Sequence, residues 1–447
     1  MLLPKKEDFE ESPPFVIMWH RRDLRISDNT ALAHAVKSHL AILPIFIFDK
    51  NILDKLEDKD DSRVSFIYEA LGELSHAYER LGGFLQVYHG KPLDVFSIFA
   101  SLEPCKGLYT NEDYEPYARE RDKNIEKIFL QAGKCFYSFK DQVIFSPGEI
   151  LTEEGRPYTV FTPFSKKWLK KLAAIRLTQY SLPNKISSPI NKSYLPRLEE
   201  IGFVKNNKIS FPERKIPLQV LSHYKERRDF PYLKGTTRLG VHLRFGTLSI
   251  RQLVFVAISK STAFLHELIW REFFMMLLWY FPHTTEKPFR TAFEAFPYRK
   301  SEEDFEAWCN GKTGYPLVDA GMRELNETGF MHNRVRMVVA SFLTKHLLLP
   351  WQWGERYFAR KLLDFELASN VGNWQWAAGC GADAAPYFRI FNPELQQKKF
   401  DPEGKYVRQF CSDYMQRRPP LIISHEEGRK RALLAFESIK ERMKNLS

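Results

Sequence analysis

The strongest constraint on this chain lies in its first 140 residues, where short apolar runs alternate with amphipathic helical patterns. Residues 15–19, 41–48, 84–88, 107–110 and 135–139 are runs of strand length, rich in Val, Ile, Phe and Tyr. Between the second and third, Val64, Ile67, Leu71, Leu74, Tyr78 and Leu81 recur at steps of three and four, which is one face of a helix. Ser62 is expected to cap that helix, and Gly82-Gly83 to stop it. Residues 92–101 and 116–131 supply two more helices. Strands alternating with helices require a parallel sheet covered on both faces, so a doubly wound α/β domain is expected over 13–140. No G-x-G-x-x-G follows the first strand, which leaves a dinucleotide crevice of the usual kind unsupported.

The rest of the chain changes character twice. Residues 141–205 are punctuated by Pro147, Pro157, Pro163, Pro183, Pro189 and Pro196, and read as a long linker without a sustained periodic pattern. Its lysines 166, 167, 170 and 171 read as a solvated helix face. Over 206–447 helical patterns dominate, with helices expected at 267–280, 318–325, 333–349 and 355–367, so a large all-α domain is expected. The longest uninterrupted apolar run, 273–281, is nine residues, too short for a membrane span. Five cysteines in no C-x-x-C arrangement suit a reduced cytoplasm rather than a disulfide framework or a zinc site.

Charge separates the same segments. Residues 1–150 carry 19 Lys+Arg against 25 Asp+Glu, and residues 151–447 carry 47 against 30. The net charge of +11 is therefore −6 in the first block and +17 in the second. A basic segment of that size suits a polyanion such as nucleic acid.

Several chemistries lack their parts. Gly311-Lys312-Thr313 resembles the end of a P-loop, but Glu306 stands where its first Gly belongs. His266-Glu267 opens like a zincin motif, but Trp270 replaces the second His. What remains is aromatic. Seven of the nine tryptophans, at 270, 279, 308, 351, 353, 374 and 376, fall in the basic part, where rings beside cations could hold an unstacked base. Trp374-Gln375-Trp376 sits in a small-residue stretch, which is expected to let a planar group approach the backbone.

The segments 19–25 (Trp-His-Arg-Arg-Asp-Leu-Arg), 267–273 (Glu-Leu-Ile-Trp-Arg-Glu-Phe), 314–320 (Gly-Tyr-Pro-Leu-Val-Asp-Ala), 331–334 (Met-His-Asn-Arg), 373–376 (Asn-Trp-Gln-Trp) and 386–393 (Pro-Tyr-Phe-Arg-Ile-Phe-Asn-Pro) occur in one order. On these motifs the chain resembles the DNA photolyase/cryptochrome family, and within it the class I cyclobutane pyrimidine dimer photolyases. The resemblance implies an α/β antenna domain, a linker and a helical domain that holds FAD. It implies repair in which light excites the reduced, anionic flavin, an electron passes to a dimer extruded from the duplex, the ring splits and the electron returns.

Site residues are implied one position at a time. Tyr224, Thr236, Thr237, Arg238, Leu239 and Gly240 match the surroundings of the FAD phosphates, Gly240 standing where many members have Ser, and Arg228 matches a basic position nearby. Arg336 and Asp364 match an ion pair at the flavin ring, where positive charge would favour the anionic reduced form. Asn370 matches the position facing flavin N5, and Glu366 stands where Asp is usual. Glu267 and Asn333 match groups hydrogen-bonded to the dimer; Trp270 and Trp376 match the rings flanking it, with Met337 beside them. Arg271, Arg334 and Arg389 match contacts to phosphates or bases. Trp374 and Trp351 match the inner and middle members of an electron chain whose outer member, usually Trp, is Tyr298 here.

The resemblance further implies a bacterial-type cytoplasmic monomer acting on UV-damaged DNA, without a metal. A second antenna chromophore is open between deazaflavin, a flavin and folate, the folate reading being weakened by Tyr117-Ala118 where folate binders tend to carry Asn-Glu. Two other functions compete. One is a cryptochrome that signals without repair, against which Asn370, Glu267, Asn333 and the Trp270/Trp376 pair argue. The other is an enzyme preferring single-stranded DNA. Asn333, rather than His, argues against (6-4) lesions.

Overall fold

A computed structural model describes residues 2–440 apart from 182, 183, 385, 387 and 417. Tyr387 of the 386–393 motif and the last seven residues of the third segment lie outside the described residues.

Each apolar run of the first segment forms a strand: β1 (Phe15–His20), β2 (Ala41–Asp49), β3 (Gln86–Gly90), β4 (Cys105–Asn111) and β5 (Cys135–Phe139). All pairings are parallel, in the order β3-β2-β1-β4-β5. The chain thus builds outward from β1 to one side, then crosses back to the other, which is the doubly wound pattern. Side chains alternate across β1. Phe15, Ile17 and Trp19 pack with Val95, Phe96, Ile125 and Phe129 on one face, while Val16 and Met18 pack with Val64, Leu71 and Leu74 on the other. Those partners sit on α2 (Ser62–Glu79), α3 (Pro92–Ser101) and α4 (Pro116–Gln131), following the short α1 (Thr30–Val36). Two of the three interior strands, β1 and β2, are buried throughout, as parallel strands covered on both faces are. Pro44 is tolerated inside β2 because pairing with β3 begins only at Ile45. The cap of α2 is Asp61 rather than Ser62: its carboxylate accepts from the Arg63 amide, and Ser62 is the first helical residue.

The linker is less irregular than its prolines suggest. It contains α5 (Phe161–Ala173), whose Phe161, Phe164, Trp168 and Leu172 are buried against the helical domain. Lys166, Lys167 and Lys170 are exposed, while Lys171 pairs with Glu149 at 3.2 Å.

The helical domain is built around α8 (Thr262–Tyr280), preceded by α6 (Gly240–Arg244) and α7 (Ile250–Lys260). It continues with α9 (Glu302–Cys309), α10 (Pro316–Thr328), α11 (Asn333–Ser341), α12 (Trp351–Lys361), α13 (Leu367–Ala378) and, near the end, α14 (His425–Ser438). Two expected helices are shorter than their patterns. The 333–349 pattern loosens into a π turn at Phe342–His346 and ends with Leu348 in the left-handed region at φ 54°. The 355–367 pattern breaks after Lys361, so Asp364 and Glu366 project from a turn between α12 and α13. Among the described residues no helix is long and apolar enough to cross a membrane.

Candidate active site

A cavity of about 100 Å³ lies between α11, α12, the 362–366 turn and α13. From α11 come Asn333, Arg336, Met337 and Ala340, a single i, i+3, i+4, i+7 face. From α13 come Ser369, Asn370, Asn373, Trp374, Trp376 and Ala377, and from the turn Asp364, Phe365 and Glu366. Eight residues expected at the site, Asn333, Arg336, Met337, Asp364, Glu366, Asn370, Trp374 and Trp376, therefore share one wall system.

Arg336 is fixed from two sides. Its Nη2 donates to both Asp364 oxygens at 3.1 Å, and its Nε donates to the Met331 carbonyl at 2.7 Å. The amide of Asn370 donates to the Glu355 carboxylate at 2.8 Å and to the Glu355 carbonyl at 3.0 Å. Burial pushes the Glu355 carboxyl up, against the opposing bond from Asn370. With its nitrogen so committed, Asn370 leaves its carbonyl end to the cavity it lines.

The 236–240 segment runs behind Asp364. Arg238 adopts φ 54°, with its guanidinium 4.0 Å above the Phe330 ring. The Leu239 amide reaches Thr237 Oγ1 at 3.5 Å. A Cβ at Gly240 would lie 2.6 Å from Asp364 Oδ2, so a side chain there would press on the acid that holds Arg336. Tyr224 is buried against Phe264, and Arg228 lies over its ring.

The α8 residues stand outside the cavity lining. Glu267 is ion-paired with Arg228. The Trp270 ring lies flat on Phe161, with centroids 3.6 Å apart and planes within 5°. Arg271 points inward. It donates to the Gln142 carbonyl at 2.7 Å, and burial pulls its pKa down despite the charge of Glu366. That geometry turns it away from the expected phosphate contact and makes it a tie between linker and helical domain. Arg334 pairs with Asp229 at 2.7 Å and lies over Phe400. Arg389 is exposed, its carbonyl accepting from the buried Lys345 ammonium at 2.8 Å.

Trp374 and Trp351 are both buried, and Tyr298 packs on Phe296 with centroids at 4.7 Å. Among the described residues no ring contact joins Trp351 to Trp374 or to Tyr298. Trp374 instead meets Trp308 edge-on at 6.2 Å; Trp308 stacks on Phe305 at 5.8 Å, and Phe305 meets Trp353 at 5.2 Å. The small residues near Trp374 serve packing. A Cβ at Gly372 would lie 2.5 Å from Phe274 Cε1, so this glycine admits a ring of α8.

One buried carboxylate, and the partner of another, escaped the sequence reading. Glu272 accepts from the Ile144 and Phe145 amides at 2.7 and 3.0 Å and from Trp168 Nε1 at 2.6 Å, clamping the linker to α8. Glu366 accepts from Arg22 at 2.9 Å, across 344 positions of sequence. An Arg-Glu pair set between two apolar runs is the signal that could have flagged the first.

Comparison with known proteins agrees with this architecture. Residues 264–438 match the family described as the FAD binding domain of DNA photolyase, and residues 16–184 match the DNA photolyase family. A deoxyribodipyrimidine photo-lyase of Synechococcus sp. is 36% identical over 444 residues, covering 92% of this chain and 90% of the relative. The chain belongs to the DNA photolyase family. Among solved members, a bacterial class III photolyase from Agrobacterium tumefaciens superposes with TM-score 0.86 at 33% identity, covering 96% of this chain and 98% of that one. An archaeal photolyase from Sulfolobus tokodaii, solved with two FAD molecules, superposes with TM-score 0.80 at 32% identity, covering 95% and 99%. The helical domain is thus a photolyase FAD-binding domain, and the five-stranded domain is the photolyase N-terminal domain.

Proposed function

We propose that this photolyase reverses cyclobutane pyrimidine dimers in DNA, using light and reduced FAD to deliver an electron to an extruded dimer. One observation carries the reading: a single cavity joins a fixed cation (Arg336 on Asp364) and a neutral amide (Asn370) to Asn333, Met337 and Trp376.

The residues fit FAD. A reduced flavin is anionic and carries an N–H at its reactive edge. Arg336 supplies the compensating charge, and the carbonyl end of Asn370 supplies an acceptor that cannot act as an acid. Glycine at 240 keeps the phosphate-side segment against Asp364. Bound FAD supplies the light-absorbing electron donor; the remaining work belongs to the chain. In this reading Trp376 and Met337 shape an apolar berth for the extruded dimer, and Asn333 offers hydrogen bonds to its edge. Glu267, ion-paired with Arg228 outside the cavity lining, would have to leave that pair and carry a proton to donate to the pyrimidine carbonyl where negative charge develops. Arg334 and Arg389 suit backbone phosphates. A second chromophore, whether deazaflavin, flavin or folate, would add light capture without changing these roles.

The test is direct. Reduced, FAD-loaded protein is mixed with dimer-containing double- or single-stranded DNA and illuminated. Light-dependent loss of dimers is expected, with (6-4) lesions untouched; dimers that persist in both substrates refute the proposal.

A further inference from the structure

Glu366 is set apart from the other acids of the cavity by what holds it. Its Oε1 accepts from Arg22 Nη2 at 2.9 Å, and its Oε2 accepts from Ser369 Oγ at 2.8 Å. Arg22 belongs to the turn after β1, in the N-terminal domain. It reaches Glu366 with a guanidinium whose other donors are also taken: Nη1 on Asp113 at 3.2 Å and Glu115 at 3.1 Å, and Nε on the Arg244 carbonyl at 3.1 Å. Both partners of the pair are under a tenth exposed. Burial alone would push the Glu366 carboxyl up, but Arg271, Arg22 and Arg244 hold it below the usual carboxylate range. Burial would likewise lower Arg22, and Asp113, Glu115 and Glu366 more than offset it.

A buried ion pair adds little stability over an apolar contact of similar size, so stability alone is a weak reason for this arrangement. Its placement is informative. Glu366 lines the cavity and Arg22 does not. The pair, with Arg271 and Arg244 beside it, therefore keeps an ionised carboxylate in the cavity wall, two residues from the Asp364 that fixes Arg336. Negative charge there opposes the negative charge a flavin gains on reduction, and so acts against Arg336. The consequence is a reduced flavin that gives up its electron more readily.

We propose that Arg22 is a positioning residue by which the N-terminal domain fixes the Glu366 carboxylate in the wall of the flavin cavity, and that Glu366 thereby makes the reduced flavin a stronger electron donor. This rests on the flavin reading above. In repair, that electron leaves the reduced flavin, reduces the dimer and returns after the ring splits, so no further reductant is consumed.

The experiment uses the FAD-loaded full chain, poised with redox dyes at the potential where wild-type flavin is half reduced, with the ratio of reduced to oxidised flavin read from the absorbance spectrum. Glu366→Gln removes the charge and keeps the shape, and should raise the ratio about tenfold. Arg22→Gln should shift it in the same direction but less, because the carboxylate loses its hydrogen-bonded partner and turns from the wall while Arg271 and Arg244 still act on it; Arg22→Lys should stay near wild type. The double variant R22Q/E366Q should match E366Q alone. A ratio in E366Q within twofold of wild type overturns the proposal, and so does an R22Q shift that persists undiminished in the E366Q background. Lower melting temperatures with unmoved ratios would mark a mere structural tie and overturn it too. Should R22Q fail to fold, E366Q alone decides. A wild-type protein that binds no FAD overturns the flavin reading together with this inference, whereas FAD bound with an unmoved E366Q ratio overturns this inference alone.

Discussion

Gly354→Ala sets two known effects against each other at one position of α12. In an exposed helix the change is favourable, since alanine exceeds glycine by about 0.8–1.0 kcal/mol in helix propensity. Here the added Cβ would lie 2.5 Å from Trp374 Cζ3, closer still to Trp374 Cη2, and 2.6 Å from Leu343 Cδ2. Neither neighbour can yield cheaply. Trp374 is 2% exposed, with Phe358 5.0 Å away on one side and Trp308 at 6.2 Å on another, and Leu343 is fully buried. Overpacking of a filled core costs about 1–3 kcal/mol, and more where an indole ring must shift. Net destabilisation of roughly 1–2 kcal/mol is therefore expected. In a cooperative unit of 150–250 residues that corresponds to a fall of roughly 2–8 °C in Tm. Because Trp374 also lines the cavity, displacing it should lower the FAD retained per protein on gel filtration. The assay pairs a thermal melt with the flavin-to-protein absorbance ratio. An alanine variant as stable as wild type, or more so, with full flavin content would refute the placement of Trp374 against Gly354.

Other outcomes follow from the same structure. Burial pushes the Glu272 carboxyl up from its ordinary 4.5 to about 7, against the amides of Ile144 and Phe145, Trp168 and Arg271. A raised acid stabilises the fold fully below its unfolded pKa and progressively less as pH rises towards 7. Wild type should therefore lose up to about 3 kcal/mol relative to Glu272→Gln across that window, read from denaturant midpoints; identical pH slopes would contradict this. Trp374→Phe should slow photoreduction of bound FAD at least tenfold. Tyr298→Phe should slow it less; an unchanged rate would remove Tyr298 as terminal donor and direct attention to Trp308 and Trp353. Affinity for dimer-containing duplex should fall steeply with salt, and Arg389→Ala should reduce the log–log slope by about 1; a slope independent of salt would argue against phosphate contacts.

The sheet was legible because its signals are local. Five apolar runs and a period of three to four residues in 62–81 are set by neighbours in sequence, and they returned five strands and α2. The motifs were legible for the family, and they led to Asn333, Arg336, Asp364, Asn370, Trp374 and Trp376, which share one cavity. Local signals failed where packing overrode them. The 355–367 pattern ends at Lys361 because the chain turns there, with the Leu363 amide bonding the Gly329 carbonyl at 2.8 Å. The prolines of the linker concealed the length and the buried face of α5, whose Phe161 lies flat on Trp270. Arg271 read as a contact to phosphates or bases, yet its guanidinium donates to the Gln142 carbonyl of the linker.

By itself, then, the sequence determined the alternation of strands and helices, the basic balance of the second part and the family, because periodicity, composition and motif order are properties of the chain alone. Tertiary structure decided which charges meet. Arg22 and Glu366 become partners only when two domains close on each other, and Glu272 becomes a clamp only when two backbone amides and an indole converge on it. Electrostatic energy depends on distance through space and on exclusion of water, and spacing along the chain encodes neither.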